Sequence, residues 1–167
     1  MCGIFGYIGH LERITAERCL HTLSHRGPDG WGVWSDQGVT LGHRRLSILD
    51  LSENGHQPMS FGGGSYWITF NGEIYNFLEL RTELEAKGHV FRTESDTEVI
   101  LAAYHAWGEA CQLRFNGMWA FAIWDTVERR LFLSRDRFGK KPLFYTELPK
   151  GDFAFASEMK ALFPAVP

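Results

Sequence analysis

Apolar and polar residues alternate along much of the chain in short runs, which is the pattern of β-strands with one buried face. Strands are predicted at residues 2–9, 31–35, 39–43, 66–70, 118–124, 130–134, 143–146 and 153–156. Apolar residues recur at helical spacing elsewhere, which predicts helices at 12–24, 76–87 and 95–107. Blocks of strands thus precede and follow a pair of helices, and this order favours an α+β layered domain over alternating βαβ units.

Turn and loop residues mark the boundaries between these elements. Asp36-Gln37-Gly38 predicts a hairpin turn, and a polar loop is expected up to Gln57-Pro58. The glycine-rich stretch 62–65 is interpreted as a loop, because it lacks the lysine and hydroxyl residue that end a phosphate-binding loop. The charge-dense segment 135–142 is interpreted as a solvated connection, in which two arginines flank an aspartate, Asp136, that could pair with either.

Composition limits the classes of protein to which the chain can belong. Its 167 residues are 44% hydrophobic and 22% charged, the balance of one soluble globular domain. The net charge of −3 argues against a nucleic-acid surface, which needs a clustered basic face. There is no signal peptide and no apolar run near the ~20 residues that span a bilayer, so no membrane association is expected. Three scattered cysteines and histidines without metal spacing predict neither a disulfide framework nor a metal site, and favour a cytoplasmic protein.

Cys2 is the strongest candidate for chemistry, because it directly follows the initiator methionine. If Met1 is removed, Cys2 carries a thiol and a free α-amino group on the same Cα. In unperturbed peptides the amine titrates near roughly pH 8 and the thiol near about 8.5, so a base stands beside a nucleophile that it can activate. The alternative is a small buried residue that begins a strand, and that interpretation is favoured for Cys19 and Cys111.

Asn71 and Gly72 follow the strand predicted at 66–70 and allow two interpretations. An Asn-Gly pair commonly forms a turn. The same pair can instead present a side-chain amide and an unobstructed backbone N–H, the two donors that an oxyanion hole needs. The residues alone leave both interpretations open.

Charged residues at four positions are candidates for binding charged groups of a ligand. Arg44 and Arg45 are adjacent, so in an extended segment only one of them can face a given site and clamp a carboxylate there. Glu73 and Asp96 are acceptors that could hold an ammonium group. Carboxylates at such positions are more often solvated, or cap a helix.

Seven ordered motifs, which together run from Cys2 to Leu162, resemble one family. They are Cys2-Gly3-Ile4-Phe5-Gly6, His25-Arg26-Gly27-Pro28-Asp29, Arg45-Leu46-Ser47-Ile48-Leu49-Asp50, Asn71-Gly72-Glu73-Ile74-Tyr75-Asn76, Ser95-Asp96-Thr97-Glu98, Arg135-Asp136 with Gly139, Pro142 and Leu143, and Ser157-Glu158-Met159-Lys160-Ala161-Leu162. The chain is similar to the N-terminal glutaminase domain of class II, or N-terminal-nucleophile, glutamine amidotransferases, most specifically the asparagine-synthetase type. Amidotransferases of the phosphoribosyl and glucosamine-phosphate types share the N-terminal cysteine, but the fourth and seventh motifs fit the asparagine-synthetase branch better.

This resemblance implies an α+β fold in four layers, an αββα sandwich with two antiparallel sheets face to face. It also implies that Cys2 attacks the side-chain amide of L-glutamine and forms a glutamyl thioester, with its α-amino group as the base. Asn71, through its side chain, and Gly72, through its backbone N–H, would hold the oxyanion. No metal or organic cofactor is implied for this half-reaction.

The resemblance further assigns the residues that bind the α-groups of glutamine. Arg45 would clamp the α-carboxylate, with backbone groups of Ile48 and Leu49 beside it. Glu73 and Asp96 would take the α-ammonium group.

The rest of the reaction implied by the resemblance needs a second domain. Residues 1–167 correspond to the glutaminase domain, and the chain shows no pyrophosphate loop of the ATP-dependent synthetase domain that follows it in the family. We therefore expect ammonia to pass to a C-terminal synthetase domain or a separate synthetase subunit, which would use ATP and Mg²⁺, most simply to make asparagine from aspartate. Another acceptor, such as a sugar or a different carboxylate, a non-catalytic partner-binding role, and a homodimer all stay open.

Overall fold

The alternating segments form two antiparallel sheets. The structure is a computed structural model that describes residues 1–47 and 55–166. Its strands are β1 (Gly3–Ile8), β2 (Gly30–Asp36), β3 (Val39–Arg45), β4 (Met59–Phe61), β5 (Tyr66–Ile74), β6 (Gly117–Asp125), β7 (Arg130–Arg135), β8 (Phe144–Glu147) and β9 (Phe153–Ala156). Its α-helices are α1 (Arg13–His21), α2 (Phe77–Ala86) and α3 (Asp96–Trp107), with short 3₁₀ turns such as Gly108–Arg114 and Met159–Ala161 between strands and at the C-terminal end.

Strand order places the N-terminus at the middle of one sheet. The first sheet has the order β2-β3-β1-β9-β8, and the second has the order β4-β5-β6-β7. β1 pairs with β3 from Gly3↔Arg44 to Ile8↔Val39, and with β9 on its other side. Cys2 therefore immediately precedes the central strand of the first sheet.

Three apolar cores separate four layers of structure. One core lies between the first sheet and α1, and a second lies between the second sheet and the helices α2 and α3. The third core joins the two sheets, and Ile4, Leu41, Ala120, Ala122 and Phe155 are fully buried in it. Because successive side chains of a strand point to opposite faces, Ile4 packs between the sheets while Phe5 packs towards α1. The predicted αββα sandwich of antiparallel sheets is confirmed.

Two parts of the second sheet differ from the sequence prediction. β4 falls just after the predicted polar loop, and a run of only three residues carries too little alternation to be recognised. β5 continues past residue 70 to Ile74, so Asn71 and Gly72 lie within a strand rather than in a turn. Pairing with β6 across the whole of β5 outweighs the local preference of Asn-Gly for a turn.

The longest helix in the described part of the chain is α3, which has 12 residues. No helix among the described residues has the length and apolar character required to cross a membrane.

Gly6 gives a test of how closely the layers pack. A Cβ on Gly6 would lie 2.2 Å from ring atoms of Phe155, whose side chain is fully buried between the sheets and cannot withdraw. We expect Gly6→Ala to lower the free energy of unfolding by roughly 1–3 kcal/mol, as overpacking does. Urea unfolding measures this change.

Gly30→Ala is the matched control, because a Cβ at Gly30 meets nothing closer than Arg45 Cβ at 3.9 Å. Equal midpoints for the Gly6→Ala and Gly30→Ala variants would contradict the packing argument.

Candidate active site

A cleft lies where β3, β5 and the N-terminus of α3 approach Cys2. It is lined by Met1, Cys2, His43, Arg45, Leu46, Ser47, Gly55, Gln57, Phe70, Asn71, Gly72, Glu73, Ser95, Asp96, Thr97, Met118 and Lys141. The cleft thus brings together every predicted site residue that the structure describes. Ile48 and Leu49, predicted to line the glutamine site, lie outside the described residues.

Cys2 is held at the cleft by contacts to its thiol and its backbone. The backbone N–H of Leu46 donates to Cys2 Sγ at 3.4 Å, and the thiol lies 3.6 Å from Leu46 O. Arg26 Nε donates to Cys2 O at 2.9 Å. Cys2 stays partly exposed, whereas Cys19 and Cys111 are fully buried, and burial raises the pKa of each of those two thiols to about 12. Cys2 is therefore the cysteine available for chemistry.

Arg26 is itself fixed by a cluster of charges around Glu158. The Glu158 carboxylate accepts from Arg26 Nη1 at 2.9 Å and from His25 Nε2 at 3.0 Å, and it pairs with Lys160 Nζ at 3.2 Å. Burial alone would raise the pKa of Glu158, but the hydrogen bonds from Arg26, His25 and Lys160 lower it to about 2. The His-Arg and Ser-Glu-Met-Lys motifs thus meet in one network that reaches Cys2 O.

The outer edge of β5 is open at the cleft. β4 covers this edge only as far as Ile68, and beyond it side chains replace a neighbouring strand. Phe70 N donates to Gln57 Oε1 at 2.7 Å, and Ile74 N donates to Asp96 Oδ2 at 3.0 Å. The edge N–H groups on both sides of Gly72 are therefore satisfied by buried side chains.

The N–H of Gly72 points towards the cleft. Alternate residues of a strand direct their backbone groups to the same side, so Gly72 follows Phe70 and Ile74. The paired residue across the ladder, Trp119, exchanges its backbone bonds with Asp136 and not with Gly72. Gly72 also needs to be glycine, because a Cβ there would lie 2.3 Å from Met118 O on β6.

Asn71 supplies a second donor beside Gly72. Its side chain is 2% exposed, and its Nδ2 has no hydrogen-bond partner among the residues that the structure describes. A buried donor without a partner is uncommon and costs free energy. Adjacent amide and backbone donors in one cleft wall are the arrangement that stabilises an oxyanion.

The two neighbouring arginines point in different directions. Arg44 donates from Nε to Leu20 O at 3.0 Å and from Nη2 to Ser24 Oγ at 2.7 Å, both at the α1 side of the first sheet. Arg45 lines the cleft. Of the two candidates for a carboxylate clamp, Arg45 is therefore the one that reaches the site.

Asp96 is a buried carboxylate rather than a solvated one. It begins α3, where Ser95 caps the helix by accepting from Thr97 N at 3.1 Å. Burial is the main cause that raises the pKa of Asp96 to about 6, and the charge of Glu73 raises it further. An ammonium group bound between these two carboxylates would favour the charged form of both.

Three further side chains in the cleft were not predicted as site residues. Gln57 bridges Phe70 N and Thr97 Oγ1, and His43 Nε2 donates to Phe70 O at 3.0 Å, while burial lowers the pKa of His43 to about 3 and keeps it neutral. Lys141 is the third. The only sequence signal for these three residues is that they lie close to the motifs along the chain. Among the described residues, no group of three or more His, Cys, Asp or Glu side chains could hold a metal ion.

The segment that leads to Lys141 is only partly a solvated connection, because Arg135, Arg137, Phe138 and Lys140 are exposed whereas Asp136 and Lys141 are buried. Asp136 is buried, and its carboxylate accepts the backbone N–H groups of residues 138, 140 and 141. It forms no ion pair with Arg135 or Arg137 among the described residues, because both arginines donate to backbone carbonyls instead. The carboxylate of Asp136 accepts hydrogen bonds from backbone N–H groups of the same turn in place of the two arginines.

Comparison with known proteins identifies the family. The family model of a glutamine amidotransferase domain matches residues 1–166. The chain is 52% identical to asparagine synthetase (glutamine-hydrolyzing) 1 of Bacillus subtilis strain 168, over 99% of this chain and 27% of that protein. It is 46% identical to asparagine synthetase (glutamine-hydrolyzing) 3 of the same organism, over 97% of this chain and 27% of that protein. The chain thus spans about a quarter of the length of these curated relatives.

Solved structures agree with this assignment. The glutamine phosphoribosylpyrophosphate amidotransferase of B. subtilis superposes with a TM-score of 0.82 at 25% identity, over 97% of this chain and 43% of that one. A structure described as the allosteric regulatory enzyme of purine biosynthesis gives a TM-score of 0.84 at 26% identity, over 98% of this chain and 43% of that one. The chain therefore belongs to the family of glutamine amidotransferase domains and has the fold of the N-terminal-nucleophile amidotransferases.

Proposed function

We propose that this chain hydrolyses the side-chain amide of L-glutamine to glutamate and ammonia, with Cys2 as the nucleophile. The observation that carries this proposal is the pair of donors at Asn71 Nδ2 and Gly72 N–H, which share one cleft with the partly exposed thiol of Cys2. An unpartnered buried donor is costly in the free protein and becomes useful when a reaction places negative charge beside it.

Removal of Met1 completes the catalytic group in this proposal. Met1 is 56% exposed at the cleft, so a peptidase can reach it. The freed α-amine of Cys2 accepts the thiol proton as Sγ attacks the amide carbon of glutamine. The tetrahedral oxyanion accepts hydrogen bonds from Asn71 and Gly72, and its collapse expels ammonia, which takes the proton back from the α-ammonium group. Water, deprotonated by the same amine, then attacks the thioester, which yields glutamate and restores the thiol.

Charged groups in the cleft fit the two ends of the amino acid. Arg45 would form the paired hydrogen bonds that a guanidinium makes with the α-carboxylate. Glu73 and Asp96 would hold the α-ammonium group. Backbone groups of Ile48 and Leu49 remain the predicted neighbours of the carboxylate.

The ammonia would be used by a synthetase that this chain does not contain. The relatives that it matches are named glutamine-hydrolyzing asparagine synthetases and extend well beyond it. We propose that residues 1–167 form the glutaminase domain or subunit of such an enzyme in the cytoplasm, and that the synthetase part uses ATP and Mg²⁺ to amidate aspartate. The glutaminase step itself would need no cofactor. A different acceptor of the ammonia is the second candidate, because aspartate is favoured only by the names of the relatives.

Trapping of the nucleophile tests the proposed function directly. We expect intact-mass spectrometry of the purified chain to show the loss of methionine, and 6-diazo-5-oxo-norleucine to add once, at Cys2. Cys2→Ala should lose both the adduct and ammonia release, while its circular dichroism stays unchanged. Ammonia release by a folded Cys2→Ala variant would overturn the assignment of the nucleophile.

Asn71→Ala tests the oxyanion hole. We expect kcat to fall by about 10²–10³-fold with little change in KM, because the lost hydrogen bond forms in the transition state. Steady-state glutaminase assays measure both constants. Asn116→Ala is the control, since Asn116 is exposed and contributes only backbone groups to the hydrogen bonds described. A raised KM with an unchanged kcat would exclude the oxyanion role of Asn71.

Asp96→Asn separates stability from binding. The folded-state pKa of Asp96 is raised from 3.8 to about 6, so its ionisation destabilises the fold as the pH rises through this range. We expect Asp96→Asn to raise the free energy of unfolding at pH 7 by roughly 1–3 kcal/mol while glutamine binding is lost. The gain should shrink on acidification and vanish below pH 3.8, where Asp96 is neutral in both states. A gain that does not depend on pH would contradict the assigned ionisation.

A further inference from the structure

Lys141 is a buried cation in the nucleophile cleft for which the proposed reaction has so far given no role. Its residue is 6% exposed, and it lines the cleft together with Cys2 and Glu73. None of the hydrogen bonds or ion pairs among the described residues uses its Nζ. Its Nζ keeps some contact with the solvent of the cleft, while burial of the side chain lowers the pKa of Lys141, so a nearby anion would favour its charged form.

The backbone of Lys141 is fixed on both sides. Its N–H donates to Asp136 Oδ2 at 2.9 Å, and its carbonyl accepts from Arg135 Nε at 2.7 Å. Asp136 in turn is joined to β6 through the backbone of Trp119. The Arg-Asp motif therefore determines where the side chain of Lys141 enters the cleft.

The charges around Lys141 point to its partner. Burial lowers the pKa of Lys141 and Arg26 lowers it further, whereas Cys2, Glu73 and Asp136 attract the ammonium group and raise it. Asp136 is already saturated by backbone N–H groups. That leaves Cys2 and Glu73 as the groups in the cleft that can pair with Lys141. In the proposed function Glu73 holds the α-ammonium group of glutamine, so Cys2 is the partner that remains.

The other groups that face Cys2 do not replace this charge. Arg26 donates from Nε to Cys2 O and from Nη1 to Glu158, whose carboxylate balances its charge, while its Nη2 is buried without a hydrogen-bond partner among the described residues. His43 is neutral, and Asp96 and Glu73 are acidic. In the proposed function, the α-ammonium group of Cys2 gives its proton up again to the departing ammonia, and the guanidinium of Arg45 is occupied by the α-carboxylate of glutamine.

We propose that Lys141 is the counter-charge of the Cys2 thiolate, positioned by the Arg135-Asp136 turn, and that it stabilises the negative charge that forms on the sulfur as the α-amine takes the thiol proton. This inference rests on the proposed function of Cys2 as the nucleophile. No bond to Lys141 forms or breaks: the thiol proton goes to the α-amine, and the ammonium of Lys141 remains protonated.

The pH dependence of Cys2 alkylation by iodoacetamide tests the proposal in the methionine-free chain. We expect Lys141→Met to move the midpoint of the alkylation profile upward by about 1 pH unit and to slow alkylation at pH 7 by roughly tenfold, as the loss of a nearby opposite charge does. Lys141→Arg should restore the profile. Because Cys19 and Cys111 are buried with raised pKa values, the reaction reports on Cys2.

Lys140→Met is the matched control, since Lys140 is exposed and holds Asp136 only through its backbone. Lys141→Gln serves as a second neutral variant, and thermal melts verify that each variant is folded. An unchanged alkylation profile in folded Lys141→Met or Lys141→Gln, or an equal shift in Lys140→Met, would overturn the proposal. If the wild-type chain released no ammonia from glutamine, the proposed function would fail, while the alkylation profile would still decide the role of Lys141.

Discussion

Backbone N–H groups along the outer edge of β5 have no neighbouring strand beyond Ile68, and each must find another acceptor or remain costly. Gln57 and Asp96 supply acceptors for Phe70 and Ile74. The position between them, Gly72, is left facing the cleft beside the unpartnered amide of Asn71. The candidate site is thus an interruption in a β-ladder, and the donors that the sheet would have used internally face the cleft where the proposed oxyanion would form. Such donors do not need to reorganise when charge develops, which is the physical basis of oxyanion stabilisation.

Carboxylates around this interruption have opposite electrostatic roles. Glu158 is surrounded by cationic donors that hold its pKa at about 2, so it is a permanently charged anchor for Arg26. Asp96 is buried beside Glu73, and its pKa is raised to about 6 mainly by burial and further by the charge of Glu73. This buried charge lowers the stability of the fold, and the ammonium group of a bound amino acid would compensate it. Stability is thus given up at the position proposed to bind the ammonium group of glutamine, whereas Glu158 is paired with the cations that surround it.

Local sequence patterns predicted most elements but not the arrangement that makes the site. Alternation and helical spacing identified eight strands and three helices, and its position made Cys2 a candidate that the family resemblance then favoured as the nucleophile. β4 was missed because it is short, and the strand path of Asn71-Gly72 was left open because pairing with β6 is a long-range effect. Likewise, the alternation of side chains along a strand showed that only one of Arg44 and Arg45 could face a site. The contacts of Arg44 with Leu20 and Ser24 at α1 leave Arg45 as the arginine in the cleft, and these contacts cannot be read from the local sequence. The layered fold came from resemblance, because packing between sheets leaves no local signature in the chain.

Residues far apart in the chain converge on Cys2, and this explains why the motifs are spread over its whole length. Ile4 N donates to Ser157 Oγ at 2.9 Å across 153 residues, and Ser157 N donates back to Ile4 O. The next residue, Glu158, holds Arg26, which in turn holds Cys2 O. A residue at the very start of a chain would otherwise fray, since terminal residues are poorly ordered unless tied down. Central placement of β1 and these reciprocal bonds give Cys2 the fixed geometry that an attacking group requires.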